Sequence, residues 1–278
     1  HQFPNYFLLS NLAVIPCAFL ILTTGLIYLA ISWVSVIGGL VGLALKYEVR
    51  FLNFVVNLVD QLPNSILAGI DITVLETYLI YFIIASMLFA FMAHKKKAFF
   101  YLTGFLIVFL GYQIFEKYAQ SNQQLFTVYS TRSDPALAFI NGNSGNVHST
   151  SSFLGNEDQL LFYVDHHLWK RGLLRGESVS EKKLKQDSSV YEFDNKVILH
   201  LFGERETYPQ NLKFDWVVIS DGGFIPVEFF TSNKIDKIII DATNSAGRRK
   251  ALTEIANENN IEVYDVAKEG AFVYESNH

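Results

Sequence analysis

Three short stretches carry side chains able to do chemistry. Asp165-His166-His167 sets two imidazoles beside a carboxylate, the residue types that hold transition metals. The run from Leu160 reads as a strand, and adjacent strand residues point to opposite faces. His166 and His167 are therefore expected not to share one ion, and the preferred reading is a polar strand end leading to Trp169. His148 and His200 lie far off in the chain. Ser220-Asp221-Gly222-Gly223 follows the apolar run Trp216-Val217-Val218-Ile219. A strand end followed by glycines is where α/β folds place ligand loops, and Asp221 suits a cation or a sugar hydroxyl. Two glycines serve equally as a tight turn. Asp241-Ala242-Thr243-Asn244-Ser245 ends a further strand just before a helix, with Ser245 or Asn244 as its N-cap. Arg248, Arg249 and Lys250 then fall on the first helical turns. They suit a phosphate backbone, and more often form a solvated face. The sequence holds no Walker A motif, no GxGxxG, no serine nucleophile elbow and no HExxH.

The elements that must position these residues alternate. Expected strands are Leu125–Ser130, Leu137–Ile140, Leu160–Tyr163, Val197–Phe202, Trp216–Ser220, Lys237–Asp241, Ile261–Val266 and Ala271–Tyr274, short and rich in β-branched and aromatic residues. Ala246–Asn259 is the best helix, and Arg175–Ser189 reads as an exposed polar excursion. The late order of strands and helices predicts an α/β sandwich over 118–278.

The preceding part is of another kind. Of the 278 residues half are hydrophobic and 18% charged, which excludes a disordered chain and argues against an ordinary soluble enzyme. Residues 1–120 hold six basic and five acidic side chains, the remainder 16 and 22, so an oily, neutral part precedes an acidic, water-soluble one. The single cysteine, Cys17, excludes an intrachain disulfide and a cysteine-based zinc site. The chain starts at His1 without a signal peptide, and the expectation is a C-terminal fragment of a longer polytopic protein.

Spans are expected at 7–31, containing Pro16, and at 74–93 and 98–115. The stretch 34–45 is short and reads as a short span or a re-entrant piece. Gly38 and Gly42 in it have the spacing that lets helices approach closely. Residues 46–62 form an amphipathic pattern expected to lie in the membrane interface. Asp71 and Glu76 flank the next span as candidate pathway residues. Lys95, Lys96 and Lys97 occupy a tight hairpin and point to the cytoplasm by the positive-inside rule, which puts residues 118–278 on the outer side.

This order of parts resembles the ComEC family, the DNA-uptake channel proteins of bacterial natural transformation. The opening His1-Gln2-Phe3-Pro4-Asn5-Tyr6-Phe7-Leu8-Leu9-Ser10-Asn11-Leu12, with Ile15-Pro16, is similar to the late part of the competence membrane domain; Asn11 and Pro16 belong to that motif. Trp216–Ser220, Ile238–Asp241, Ile261–Tyr264 and Glu269-Gly270-Ala271-Phe272-Val273 resemble the second half of the metallo-β-lactamase-like domain that ends many members. The resemblance implies an α-helical polytopic membrane region followed by a soluble α/β domain, a degenerate metallo-β-lactamase-like αββα sandwich of the Bacteroidetes type. It implies the cytoplasmic (inner) membrane, an extracytoplasmic (periplasmic) domain, and single-stranded DNA, the membrane and other competence proteins as partners. The departures concern catalysis. The family's HxHxDH motif is missing, and Val164-Asp165-His166-His167-Leu168 has a different spacing. Ser220, Asp221, Gly222 and Gly223 stand where a later His-His-Gly would follow Trp216–Ile219. Without such ligands the fold has no means of lowering the pKa of a bound water. The expectation is a non-catalytic domain with no cofactor and no metal, in a channel for single-stranded DNA. Two alternatives stay open: an extracytoplasmic hydrolase using Asp165, His166, Asp221 and Asp241 around an atypical metal, and a membrane-anchored binding module.

Overall fold

The computed structural model describes residues 2–63, 65–69, 71–93, 96–184, 188–203, 207–222 and 225–276. The chain divides into two compact units, 1–70 and 71–278.

In the first unit, strand β1 (Gln2–Pro4) leads into helix α1 (Phe7–Ile31), helix α2 (Ser35–Asp60) and strand β2 (Ile66–Ala68). Pro16 lies inside α1. The two strands pair antiparallel, Phe3 opposite Leu67, and the Tyr6 hydroxyl donates to the Pro63 carbonyl at 3.0 Å. The segments 34–45 and 46–62, expected as separate elements, are joined in one unbroken 26-residue helix, α2. No glycine, proline or capping residue interrupts the chain at Leu45-Lys46, and Lys, Glu and Arg propagate a helix well. The first breaker is Pro63. The two glycines do allow close approach: a Cβ on Gly42 would come within 2.9 Å of the Tyr28 ring, and one on Gly38 within 3.0 Å of the Ser32 carbonyl oxygen. Across the pair, the Thr24 hydroxyl donates to Glu48 Oε1 at 3.0 Å.

The second unit opens with helices α3 (Val74–Ala93) and α4 (Lys96–Ser121). Among the described residues, three helices are long and apolar enough to cross a membrane: Phe7–Ile31, Val74–Met92 and Phe99–Ser121. Glu76, set apart in the sequence as a pathway candidate, closes a capping box at the start of α3. It accepts from the Thr73 amide at 2.7 Å while its own amide donates to the Thr73 hydroxyl, and Gln113 of α4 donates to its other oxygen. Helix α4 runs past the expected end at Phe115 almost directly into the α/β domain. Buried Gln123 pins the joint by donating to the Gly142 and Arg171 carbonyls.

The domain contains strands β3 (Gln124–Val128), β4 (Ala136–Asn141), β5 (Ser144–Ser149), β6 (Val179–Lys183), β7 (Ser188–Phe193), β8 (Lys196–Phe202), β9 (Lys213–Ser220), β10 (Lys234–Ile240), β11 (Glu262–Asp265) and β12 (Phe272–Glu275). Its helices are α5 (Ser151–Leu154), α6 (Glu157–Leu160), α7 (His166–Lys170), α8 (Val227–Ser232), α9 (Ala246–Glu258) and α10 (Val266–Glu269). Two five-stranded mixed sheets form among the described residues, in the orders β11-β10-β9-β8-β7 and β12-β3-β4-β5-β6. Strands β8 to β11 are parallel and neighbours in chain order. Right-handed crossovers that always advance in one direction put every connection on the same face. Helices α8 and α9 cover that face through Phe229, Phe230, Leu252 and Ala256 against Val217, Ile219, Ile238 and Ile240. The other face packs on the second sheet through Phe126, Leu137, Trp216, Val218 and Ile239. The outer side of that second sheet is covered by Leu160, Val164 and Leu168. The domain is thus a four-layer α/β/β/α arrangement.

One expected strand is overturned. Leu160–Tyr163 is helical: α6, a π-turn over Leu161–Asp165 and α7 follow one another without a gap. Leu160, Val164 and Leu168 recur every four residues and are fully buried, a helical period. The excursion at Arg175–Ser189 supplies β6 and the start of β7 instead of loop alone.

Candidate functional site

Strands β8, β9 and β10 end side by side, with Phe202 opposite Ser220 and Ile240 opposite Ile219. Parallel strands bring their carboxyl ends to one edge, where this class of fold places ligands. Three polar side chains meet there in the layer between the sheets. The Ser220 hydroxyl donates to Asp241 Oδ2 at 2.8 Å, and His200 Nε2 lies 3.0 Å from the same hydroxyl oxygen. Ser220 has a single proton to give, and both Asp241 Oδ2 and His200 Nε2 lie within its reach. All three are buried: Ser220 is 2% exposed, His200 1% and Asp241 0%.

Burial sets their charge. It raises the Asp241 carboxyl to about 7, against the pull of the Ser220 and Thr243 hydroxyls and the Ala242 and Thr243 amides. Among the described residues no hydrogen bond closes on its Oδ1. Burial also holds His200 down to about 3, with His148 nearby acting in the same direction. The row runs histidine, serine, carboxylate. A nucleophilic triad needs histidine in the middle, to take the serine proton. Here serine is in the middle, between the imidazole and the carboxylate.

In the adjoining turn the backbone amides of Asp221 and Gly222 are engaged. Asp221 and Gly222 take positive φ values of 49° and 65°, the left-handed pair that Asp-Gly favours. The Asp221 amide donates to the Thr243 hydroxyl at 2.9 Å and the Gly222 amide to Asn244 Oδ1 at 3.2 Å. Buried Asn244 in turn donates to the Ile219 and Asp241 carbonyls. Ser245 is the N-cap of α9, accepting from the Arg248 amide. Of the basic residues after it, Arg249 pairs with Asp265 at 3.2 Å and Lys250 with Glu254 at 3.9 Å.

The structure brings Ser220, Asp221, Gly222 and Asp241 together, and holds Asp165 and His166 in the helical layer over the other sheet. Asp165 is bound by Arg175 Nε at 3.0 Å, and Arg175 also reaches Glu181 at 2.9 Å and Glu157. His166 and His167 diverge because successive helical residues are turned about 100° apart, not because a strand alternates. His166 meets the Trp169 ring edge-on at 5.1 Å between centroids, and His167 Nδ1 lies 3.0 Å from the Tyr129 hydroxyl. Burial holds His167 down to about 4. Among the described residues no group of three or more His, Cys, Asp or Glu is placed to hold a metal ion. At the strand ends, serine separates the imidazole from the carboxylate, a poor fit to the ligand sets of zinc sites. Gly223 and Lys95 lie outside the described residues, as do the side chains of Lys96 and Lys97.

His200 and His148 lie remote in the chain from the other candidates. A polar residue inside the apolar run Val197–Phe202 was the available signal. His148 on β5 opens onto a cavity of about 460 Å³ between the two sheets, lined also by Phe139, Asn146, Lys182, Tyr191 and Phe193. The Tyr191 hydroxyl lies 3.4 Å from His148 Nδ1, and burial beside Lys182 holds His148 down to about 4.

A family model described as ComEC C-terminal domain matches residues 126–276. No curated protein and no solved structure matches the chain.

Proposed function

From the premise that this chain belongs to the ComEC C-terminal domain family, we propose that it acts in DNA uptake during competence. Its helices contribute to a channel passing single-stranded DNA across the cytoplasmic membrane, and its α/β domain is a non-catalytic docking element on the outer side. The match over the domain carries this reading. Topology supports the placement. Helix α4 has 26 residues, about 39 Å at 1.5 Å per residue, more than the ~30 Å hydrocarbon core. Lys96 and Lys97 at the start of this helix and the domain after its end therefore lie on opposite sides of a spanned membrane, and lysines inside put the domain outside. The order His200–Ser220–Asp241 supports a non-catalytic role, since the histidine is not the middle member and the serine lies buried. The hydrolase alternative needs Asp165 and His166 to join Asp221 and Asp241, and Asp165 is engaged by Arg175.

Deletion of the gene in the source cells tests the role. The expected result is loss of transformation with DNA still bound at the cell surface. Unimpaired transformation would remove the proposal. Cysteine labelling from outside at exposed Asp221 tests the orientation, and zinc or manganese held tightly by the purified chain would revive the hydrolase.

A further inference from the structure

We propose that the cavity between the sheets docks an unpaired nucleobase of a single strand, with Lys182 meeting the neighbouring phosphate. This rests on the uptake reading and deepens it, by naming where the strand touches the domain. The cavity lies where the edge strands β6 and β7 end their sheets. Its volume of about 460 Å³ is in the usual range of small-ligand sites, roughly 300–1,000 Å³.

The walls are planar. The Phe139 ring lies 4.8 Å from Tyr191, 5.7 Å from Phe193 and 5.5 Å from His148 between centroids. All four rings are half-buried, so each buries part of its surface on the protein and leaves part at the cavity. Asn141 and Asn146 share the lining. A side-chain amide both donates and accepts, which matches the edge of a base and has no use for a lipid tail. Aromatic faces with a few polar groups are the means by which proteins hold unpaired bases without reading sequence. A duplex keeps its bases stacked inside and offers the cavity nothing.

Charge says what kind of contact this is. Lys182 is exposed on β6 and Glu192 is exposed on β7, and both line the cavity. His148 is neutral near pH 7, held down by burial and by Lys182. The cavity is therefore close to neutral, and its affinity comes from stacking more than from counterion release.

The test is fluorescence anisotropy of a labelled oligothymidylate with the full chain in nanodiscs of neutral lipid. The wild-type chain binds the strand, and an abasic strand of equal length about tenfold more weakly. Tyr191→Ala costs about tenfold, whereas Tyr191→Phe keeps the ring and stays within about twofold. Lys182→Ala lies on an exposed rim and leaves the fold unaffected; it lowers the slope of log K against log salt by about 0.7. The proposal is overturned if the abasic strand binds as well as the intact one, if a duplex binds better, or if no strand binds at low salt. Should Tyr191→Ala not fold, the abasic strand and Lys182→Ala decide. Cells with Tyr191→Ala that transform normally, beside a deletion that does not, remove the cavity and leave the uptake role. A deletion that transforms normally removes the uptake role, and the titration still decides the cavity.

Discussion

Asp165 and Asp241 are both buried carboxylates, 6% and 0% exposed, the first in the helical layer over one sheet and the second in the layer between the sheets. Asp165 faces a guanidinium, with Arg175 Nε at 3.0 Å from Oδ1. Asp241 faces hydroxyls, Ser220 at 2.8 Å and Thr243 at 3.3 Å, with no cation paired to it among the described residues. An ion pair and a hydroxyl cluster solve the desolvation of a carboxylate differently. The first keeps the charge by supplying its opposite. The second offsets burial only in part, and burial still raises Asp241 to about 7. One carboxylate is a structural tie, the other a group that titrates near neutrality while shut away from solvent.

The largest effect should come from breaking the tie. Arg175→Met removes the cation from Asp165, Glu181 and Glu157 together and leaves a buried charge uncompensated. A loss of about 3–5 kcal/mol is expected, read from urea unfolding of the full chain followed by tryptophan fluorescence. A loss below 1 kcal/mol would mean that Asp165 does not depend on its partner, and the contrast with Asp241 would vanish.

The second comparison uses pH. Between the carboxylate's ordinary range and about 7, folded Asp241 holds a proton that the unfolded chain has released. The native state then binds more protons, so this group's contribution falls as pH rises through that window and is constant above it. Asp241→Asn carries no such dependence. Its stability relative to wild type should improve by about 1.4 kcal/mol per pH unit from about pH 4 to 7, and level off by pH 8. Three histidines whose pKa is held down oppose this. His200, near 3, and His148 and His167, near 4, stay neutral in the fold while the unfolded chain takes up protons below about 6.5. Their contribution is full above 6.5 and is lost as pH falls toward 3. Wild type should therefore weaken in acid, and Asp241→Asn more steeply.

Ser220→Ala comes third, at about 2 kcal/mol, since it leaves two buried groups short of a partner. It has a second signature. The Ser220 hydroxyl holds the Asp241 carboxyl down, so its removal moves the upper end of the pH window above 7. A loss of stability without that movement would show that serine packs in the site and does not tune the acid.

Much of this contrast was legible in the chain, for unequal reasons. Strands β9 and β10 are near-continuous apolar runs, which is what burial on both faces demands, and their polar ends at Ser220 and Asp241 marked the site. Their link to His200 depends on the register of β8 with β9, which chain order does not carry. Strands β6 and β7 are hard to read because edge strands use polar and charged residues, such as Glu181, Lys182 and Lys183, that look like loop, and β5, though paired on both sides, has Val147 as its only large apolar residue. Asp165 was set on a strand because Leu160–Tyr163 is short and apolar, a length at which strand and buried helix look alike; extending the window to Leu168 shows the four-residue period. The unbroken α2 is hard to see in the chain because polarity changes at Lys46, although nothing there stops a helix.

The smallest effect sharpens the tie from its rim. Glu157 shares Arg175 with Asp165, but its side chain is 76% exposed against 8% for that of Asp165. Arg175 lowers the Glu157 carboxyl through a direct hydrogen bond, so pairing is present in both. What differs is the solvent that replaces it when the pair is cut. Water takes over at Glu157, and exposed pairs are worth about 0.2–1 kcal/mol. Glu157→Gln should cost no more than that, and the cost should fade as salt is raised, because exposed charges are screened over about 8–10 Å at ordinary ionic strength. Asp165→Asn should cost several times as much and respond weakly to salt. Equal costs for the two would mean that Arg175 distributes its stabilisation without regard to burial, and desolvation would then no longer account for the difference between Asp165 and Asp241.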